Sequence, residues 1–431
     1  MMSGGDESAV RDQRDRKLDE RWIGIREMPR WTSPARALPG AHTRSRAMSS
    51  ALAPARLSAL AAPASRSALG REATRRVCAR SRARVSAPAN RRRAGRFVPR
   101  ASSDDAEDLT TGLAHAEYLR SVAAIAPPAE LGALVSVLRA QGGTPVAPSA
   151  RDGLHPLCIP LATRESDTVC LKVSQEDGVT LEVVAVLDGV HLSLLARTCA
   201  EYVHKAMVQE EAALLEDDAV AMLEDDATRP VASAAGAVGA SLYEAGAFAT
   251  LGKDLPVYLT LRAGKFPAEM EALAQKHLEK QDEMSAFVTC DLYKSTFDKW
   301  GRPHWYLSGV YDDLGRAEEA RDCARFALTD CEWCTLGNGD DLARCLQRSG
   351  WGGKSVDEVK AIIDTRRGPN RDAFDGPRTE AQIAEELALC LLDKLAFREL
   401  TVKESIQRLA ECYSTAEKAS LAKLVMSAYA L

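Results

Sequence analysis

The stretch Thr168-Val-Cys-Leu-Lys-Val-Ser-Gln-Glu-Asp-Gly-Val-Thr-Leu-Glu-Val-Val-Ala-Val-Leu187 decides the fold class. It contains two strand-like runs, Thr168 to Ser174 and Val179 to Leu187, joined around Asp177-Gly178. Because Asp and Gly tolerate the positive φ of a tight turn, this pattern predicts an antiparallel hairpin. A third apolar run, Leu157 to Thr163, precedes the hairpin. We therefore expect a meander of about three antiparallel strands.

Helical periodicity surrounds these strands. Leu109 to Ile125 and Ala129 to Gln141 precede the sheet, and Val190 to Met222 follows it as one long predicted helix with a single apolar stripe. After Pro256 the chain has helical periodicity to its C-terminus. The expected fold class is α+β, with a small α+β domain that holds a short antiparallel sheet, followed by a mostly α-helical domain.

The charge of the chain is divided between two opposed parts. The first 100 residues carry 23 basic and 8 acidic side chains, about +15, whereas the other 331 carry 33 basic and 53 acidic ones, about −20. From Met48 to Arg100 there are 13 Arg and a single acid, Glu72. This Arg-rich, Ser-rich and acid-poor composition is typical of an organelle transit peptide, which we expect to be disordered. A basic tail that binds RNA or a membrane surface is the alternative.

These patterns divide the chain into five parts. They are a possible upstream extension (1–47), a transit peptide (48–101), an α+β domain ending in a long acidic helix (102–228), an Ala/Gly-rich linker (229–252) and an α-helical domain (253–431). The acidic helix contains a tandem duplication, Leu215-Glu-Asp-Asp-Ala219 and Leu223-Glu-Asp-Asp-Ala227. Charge runs are usually solvated. A docking site for a basic partner is the alternative interpretation.

No segment carries a recognisable catalytic signature. Gly246-Ala-Phe-Ala-Thr-Leu-Gly252-Lys253-Asp254 resembles a phosphate loop, but it has five residues between its glycines and Asp254 after the lysine. A Walker loop has four residues there and a Ser or Thr that binds magnesium. The seven histidines are scattered. We therefore predict no catalytic residue, no cofactor-binding residue and no metal ligand, and a protein that is not an enzyme.

Cys331-Glu-Trp-Cys334 is the spacing that comes nearest to redox or metal chemistry. A zinc site needs two close pairs of ligands, and this is one pair. A thioredoxin-type motif would follow a strand, whereas this one follows a predicted helix. Plain packing, a thiol pair that senses redox state and a zinc site remain as alternatives. Cys331 and Cys334 are thus a candidate redox pair.

The segment from His304 to Leu328 follows the spacing of one tetratricopeptide unit. Small residues at Gly315, Ala320 and Ala324 would let two antiparallel helices approach closely. No second copy follows at about 34 residues, so we predict one tetratricopeptide-like hairpin and not an array. Aromatic residues at and near the hairpin are candidates for protein binding, with simple core packing as the alternative. These candidates are Trp305, Tyr306, Tyr311 and Trp333.

The last helices carry clear start signals. Ser355 with Glu358, Thr379 with Gln382, and Thr401 with Glu404 have the spacing of a capping box, in which each side chain satisfies a backbone N–H of the other residue. We expect three helices to begin at these positions, with a last helix from Ala416 to Tyr429.

Three further segments are distinctive: Glu201-Tyr-Val-His-Lys-Ala-Met-Val-Gln-Glu-Glu-Ala212, Glu319-Ala-Arg-Asp-Cys-Ala-Arg-Phe-Ala-Leu328 leading to Trp333-Cys-Thr-Leu-Gly337, and Arg408-Leu-Ala-Glu-Cys-Tyr413. Together they resemble a plant and algal chloroplast family, the protein IN CHLOROPLAST ATPASE BIOGENESIS family. The resemblance covers residues 185–415 and consists of packing residues. The acidic duplication departs from the family pattern.

The resemblance implies a stromal auxiliary factor, a chaperone that helps assemble the catalytic head of the chloroplast ATP synthase. Its expected partner is the γ subunit or another subunit of the head. The alternatives are a thiol sensor that uses Cys331 and Cys334, and a helical-repeat RNA-binding factor of the organelle. The charge of about −20 on residues 101–431 disfavours nucleic acid as a partner. No run of roughly 18 apolar residues occurs, so we expect no stable membrane insertion.

Overall fold

A five-stranded antiparallel sheet lies at the centre of the fold, with its strands in chain order. The computed structural model describes residues 111–165, 167–216, 229–367 and 376–428. The strands are β1 (Thr144–Pro145), β2 (Cys158–Thr163), β3 (Thr168–Val173), β4 (Leu181–Leu187) and β5 (His191–Ala196). The hairpin between β3 and β4 turns at Gly178, whose φ is 68°, and the Asp177 carboxylate accepts the backbone N–H groups of Val179 and Thr180. The predicted hairpin and the α+β fold class are confirmed.

The predicted helix from Val190 to Met222 is wrong at its start. Residues His191–Ala196 form β5, and the helix runs over Cys199–Glu216. Asp188 and Gly189 take φ values of 42° and 94°, which turn the chain back so that β5 pairs with β4. Pairing with a neighbouring strand outweighs the weak local preference for helix, because it satisfies the backbone of both segments.

Fifteen α-helices belong to the described residues, which all lie in one compact unit, residues 95–431. They are α1 (Leu113–Tyr118), α2 (Leu131–Ala140), α3 (Cys199–Glu216), α4 (Pro230–Leu242), α5 (Ala247–Thr250), α6 (Leu255–Tyr258), α7 (Pro267–Glu279), α8 (Glu283–Thr296), α9 (Gly301–Asp313), α10 (Ala317–Thr329), α11 (Gly339–Ser349), α12 (Val356–Arg367), α13 (Glu380–Ala396), α14 (Val402–Thr415) and α15 (Ala419–Ser427). Wider π-turns continue α1 and α6, over Leu119–Ala123 and Leu259–Ala263.

Helices cover both faces of the sheet. Alternate strand residues such as Ile159 and Leu171 pack into one core with α2, α3 and the C-terminal helices α13 to α15. Their neighbours Cys158 and Cys170 face a second core, formed with residues of α8 to α12. The strands are therefore almost continuously buried, which explains why β2 and β3 contain long apolar runs in place of strict alternation.

The helix starts predicted from the three capping boxes are confirmed, whereas the last helix begins at Ala419 and not at Ala416, because Ala416 caps the end of α14 and Glu417 turns the chain with a φ of 60°. Both hydrogen bonds of the capping box form at Ser355–Glu358, Thr379–Gln382 and Thr401–Glu404. Helices α9 and α10 form the predicted pair around Gly315, with the Ser308 hydroxyl donating to the carbonyl of Ala320. Their likeness to a tetratricopeptide unit stays a prediction.

Some predictions lie outside the described residues. These are the upstream extension, the transit peptide, and residues 217–227 of the acidic duplication. The division into domains at 228 and 253 stays a prediction. Among the described residues, each helix is either too short or too polar to cross a membrane.

Candidate protein-binding surface

Two of the aromatic candidates contribute to the core of the helical layer. Trp305 is buried, and its indole N–H donates to Asp341 Oδ1 at 3.1 Å while the Arg348 guanidinium lies 4.8 Å from its ring centre. Trp333 is fully buried, and its indole N–H donates to the carbonyl of Leu328 at 2.9 Å. Both rings therefore have their polar atoms satisfied inside the protein.

The other two candidates lie nearer to solvent. The half-buried Tyr306 donates its hydroxyl to the carbonyl of Glu271 at 3.0 Å. Tyr311, near the end of α9, stacks on Phe287 of α8 with ring centres 5.2 Å apart. The Arg316 guanidinium covers both rings, at 4.6 Å from Tyr311 and 5.4 Å from Phe287. The rim formed by Phe287, Tyr311 and Arg316 joins α8 to the turn between α9 and α10.

Beside this rim, α8 exposes a row of apolar side chains. Met284, Val288 and Leu292 are 74%, 64% and 40% exposed, and their spacing of four residues places them in line along one face. The opposite face already packs inside through Ala286, Cys290 and Tyr293, among others. We call Met284, Val288 and Leu292 the α8 stripe. This surface can be recognised in the sequence, because α8 has apolar residues on two faces. A surface helix normally has one apolar face, which packs on the core.

The three helices from α8 to α10 carry an excess of exposed acidic side chains. Between residues 281 and 330, which hold α8, α9 and α10, ten acidic but only three basic residues are exposed. One of the three, Arg316, donates to Glu319 at 2.7 Å. Within the described residues, Asp313 and Glu318 at the turn between α9 and α10 have no ion-pair partner. Lys294 and Arg325, which are half-buried, pair with Asp291 and Asp322, so the excess of negative charge on this segment is smaller than the exposed residues alone suggest.

A second exposed apolar site has a different electrostatic character. Ile383 and Leu387 of α13, 50% and 45% exposed, line a groove of about 390 Å³ against α14. Between residues 378 and 415, the exposed acidic and basic residues number four each. This groove has the apolar character of the α8 stripe without its excess of negative charge.

The candidate redox pair consists of two buried free thiols. Burial raises the pKa of Cys331 to about 12 and that of Cys334 well above its ordinary value. The Cys331 thiol donates to the carbonyl of Asp298, while Cys334 Sγ lies 3.7 Å from His155 Nε2 and 3.6 Å from Glu332 Oε2. Because thiolates are the reactive form of cysteine, the raised pKa values disfavour reaction of either thiol at neutral pH.

His155, Glu332 and Cys334 bring three potential metal ligands within 4.8 Å of one another. A histidine that binds metal through Nε2 normally donates its Nδ1–H to another group. Here Nδ1 of His155 accepts the backbone N–H of Leu157 at 3.3 Å. The Lys172 ammonium also lies 3.2 Å from the Glu332 carboxylate, where it supplies the positive charge that a cation would bring. His155, Glu332 and Cys334 therefore already have partners within the protein, through their hydrogen bonds and through the ion pair between Glu332 and Lys172.

A cavity of about 680 Å³ lies between the loop at Arg151, the turn at Asp188 and the start of α14. Arg151 is buried and donates to the carbonyls of Pro156, Cys158 and Leu424 and to the hydroxyls of Tyr118 and Ser427. Asp188 is paired with Arg398 at 3.0 Å. Arg151 therefore connects this loop to α1 and α15, and Asp188 connects the β4–β5 turn to Arg398.

The comparisons with known proteins give the family. The model of the PAB N-terminal domain matches residues 113–262, and that of the PAB middle domain matches residues 267–352. The protein IN CHLOROPLAST ATPASE BIOGENESIS, chloroplastic, of Arabidopsis thaliana is 34% identical over 310 residues, which cover 70% of this chain and 87% of the relative. The chain belongs to this PAB family. No solved structure matches it.

The PAB domains divide the structure near the start of α7. The PAB N-terminal domain holds the sheet and the helices from α1 to α6, and the PAB middle domain holds α7 to α11. The α8 stripe, the aromatic rim, Cys331 and Cys334 all lie in the PAB middle domain. Helices α12 to α15 follow the matched residues and contribute to both cores.

Proposed function

We propose that this protein is a non-enzymatic assembly factor for the chloroplast ATP synthase that works in the stroma and holds the γ subunit while the catalytic head forms. The observation that carries the proposal is the 34% identity over 87% of a relative named for chloroplast ATPase biogenesis. The family resemblance in the sequence adds the γ subunit as the expected partner. The acidic exposed surface of α8 to α10 suits a basic protein partner.

The structure gives a holding role a physical basis. The α8 stripe offers apolar contact area on a helix whose other face is buried in the core. Exposed apolar surface of this kind commonly marks a site of protein interaction. The buried thiols with raised pKa values, by contrast, give little support to a thiol sensor.

Purification of the tagged protein from chloroplasts tests the function. We expect ATP synthase subunits, with γ enriched, among the recovered proteins, and a lower level of the assembled synthase in cells that lack the protein. A matched purification with the tag alone is the control. Recovery of no ATP synthase subunit, together with a normal level of the complex in its absence, would overturn the proposal.

A reporter fusion tests the location. Residues 48–101 should direct a fluorescent protein into the chloroplast stroma, because their composition is that of a transit peptide. A matched fusion in which the arginines of this segment are replaced by glutamate should stay in the cytosol. Cytosolic fluorescence of the unchanged fusion would contradict the proposed location.

A further inference from the structure

We propose that the α8 stripe and its aromatic rim form the docking surface for one basic amphipathic helix of a partner protein. The inference rests on the proposed function only for the identity of the partner, which would then be the γ subunit. The surface and the chemistry of its occupant follow from the exposed side chains and charges of α8, α9 and α10.

The α8 stripe has the geometry of a helix-binding ridge. Met284, Val288 and Leu292 lie one turn apart and span about 12 Å along the helix axis. An amphipathic helix presents its own apolar residues with the same spacing, so the two rows can interlock side by side. The rim of Phe287, Tyr311 and Arg316 lies beside the stripe, and Leu314 at the following turn is 36% exposed.

The stripe is not needed by the fold of this chain. Ala286, Cys290 and Tyr293 already anchor α8, and each is almost fully buried. A purely structural helix would place polar residues on its outer face. The outward positions of Met284 and Val288 are instead among the most exposed apolar side chains of the described residues.

The charges decide the kind of occupant. Residues 281–330, which hold the stripe, expose ten acids and three bases, whereas residues 378–415, which hold the groove at Ile383 and Leu387, expose four of each. Lysine and arginine on the flanks of a docked helix would meet Asp313 and Glu318 at the turn between α9 and α10. An acidic helix would be repelled, and a second copy of this chain would bring the same negative surface.

The test uses the tagged full-length protein purified from chloroplasts. One variant combines Met284→Ser, Val288→Ser and Leu292→Ser, and the control combines Ile383→Ser and Leu387→Ser. All five side chains are exposed, so both variants should keep the fold, which circular dichroism checks. We expect the stripe variant to recover at least tenfold less γ subunit than the unchanged protein, and the control variant to recover a similar amount.

A photo-crosslinking amino acid at position 288 identifies the occupant. We expect the crosslinked peptide to be a helical segment with basic residues flanking an apolar row. A crosslink to a second copy of this chain, or to an acidic segment, would overturn the inference. Equal recovery of the γ subunit by the stripe variant and the unchanged protein would overturn it as well.

The outcomes separate the two proposals. If the unchanged protein recovers ATP synthase subunits but the stripe variant does too, the docking surface is wrong and the proposed function stands. If the stripe is required for a basic helix from a protein outside the ATP synthase, the docking surface stands and the proposed function is wrong. If the unchanged protein recovers no partner and gives no crosslink, both are wrong.

Discussion

The buried side chain of Lys172 in β3 forms ion pairs that connect the sheet to the helical layer. Its ammonium lies 3.2 Å from Glu332 of the loop after α10 and 3.8 Å from Glu182 of β4. Burial opposes the charge, but the two carboxylates hold the pKa of Lys172 above its ordinary value. The indole N–H of Trp300 donates to Glu182 at 3.0 Å and completes the network. The two carboxylates offset the cost of burying the charge of Lys172, and Glu182 and Glu332 in turn need the ammonium group as their counterion.

Lys172→Met should therefore be strongly destabilising. The variant leaves two carboxylates, 18% and 16% exposed, without their cation, which costs up to about 3 to 5 kcal/mol in the free energy of unfolding. Lys276→Met is the matched control, because Lys276 and its partner Asp254 are 44% and 40% exposed. Exposed pairs contribute less than about 1 kcal/mol. Urea unfolding measures both, and equal losses would contradict the interpretation.

His304 should make the protein less stable in mild acid. Burial, with a smaller effect of Lys294, lowers its pKa to about 4, while an unfolded histidine titrates near 6.5. Between these values the unfolded chain binds the proton and the folded one does not, so stability is present above about pH 6.5 and is lost as the pH falls towards 4. The free energy of unfolding falls between pH 7 and pH 5, and in the His304→Gln variant this fall should be smaller by about 2 kcal/mol than in the unchanged protein. Urea midpoints at the two pH values check this, and an unchanged difference would refute it.

Among the elements, the hairpin between β4 and β5 shows where sequence patterns stop being informative. Asp177-Gly178 is recognisable because strand-like runs stand on both sides of it, whereas the equivalent Asp188-Gly189 is followed by residues that continue into an apolar helical stripe. His191 and Ser193 alternate with Leu192 and Leu194, but the alternation covers only four residues before Leu195 ends it, so it is a weak strand signal beside the helical stripe. The strand forms because β4 offers it a partner, and this pairing is not visible in the periodicity of β5 itself.

Gly189 occupies the position of that turn where a side chain does not fit. Its φ is 94°, and a Cβ added there would lie 2.7 Å from the carbonyl oxygen of Gly153. Gly142 has a similar φ of 86° but meets no atom within 4 Å. Gly142→Ala should thus cost only the roughly 1 to 2 kcal/mol of the left-handed conformation, and Gly189→Ala about 1 to 3 kcal/mol more. Thermal unfolding of the two variants measures the difference, and equal losses would show that the turn adjusts freely.

The same limit applies to the candidate site. The sequence marks Trp305 and Trp333 as large aromatic residues, but it cannot show that Asp341 and the carbonyl of Leu328 satisfy them inside the core. The apolar residues of α8 are visible in the sequence, yet the buried face and the exposed face become distinct only when α7 and α9 are in place. Helix starts are predicted well because a capping box is complete within four residues.

At the scale of the whole molecule, the last three helices complete a core that begins more than 250 residues earlier. Leu424 of α15 packs in the same core as Leu119, and the Tyr118 hydroxyl lies 2.7 Å from Ser427 Oγ. Lys418 also donates to the carbonyl of Gln175 beside the β3–β4 turn. Such contacts between distant segments leave no trace in local periodicity, so the sequence shows helices at the C-terminus without showing where they pack.

Residues of the same strands belong to both hydrophobic cores, so we expect the protein to unfold in one cooperative transition. Leu424→Ala removes a fully buried side chain from the core on one face, which should cost about 2 to 5 kcal/mol. In a chain that starts at Ala101, the four tryptophans all belong to the core on the other face: Trp300, Trp305, Trp333 and Trp351. Because the strands between the cores belong to both, tryptophan fluorescence and far-ultraviolet circular dichroism should report the same lowered midpoint in urea. A tryptophan transition that stays at its original midpoint would show instead that the two layers unfold as independent domains.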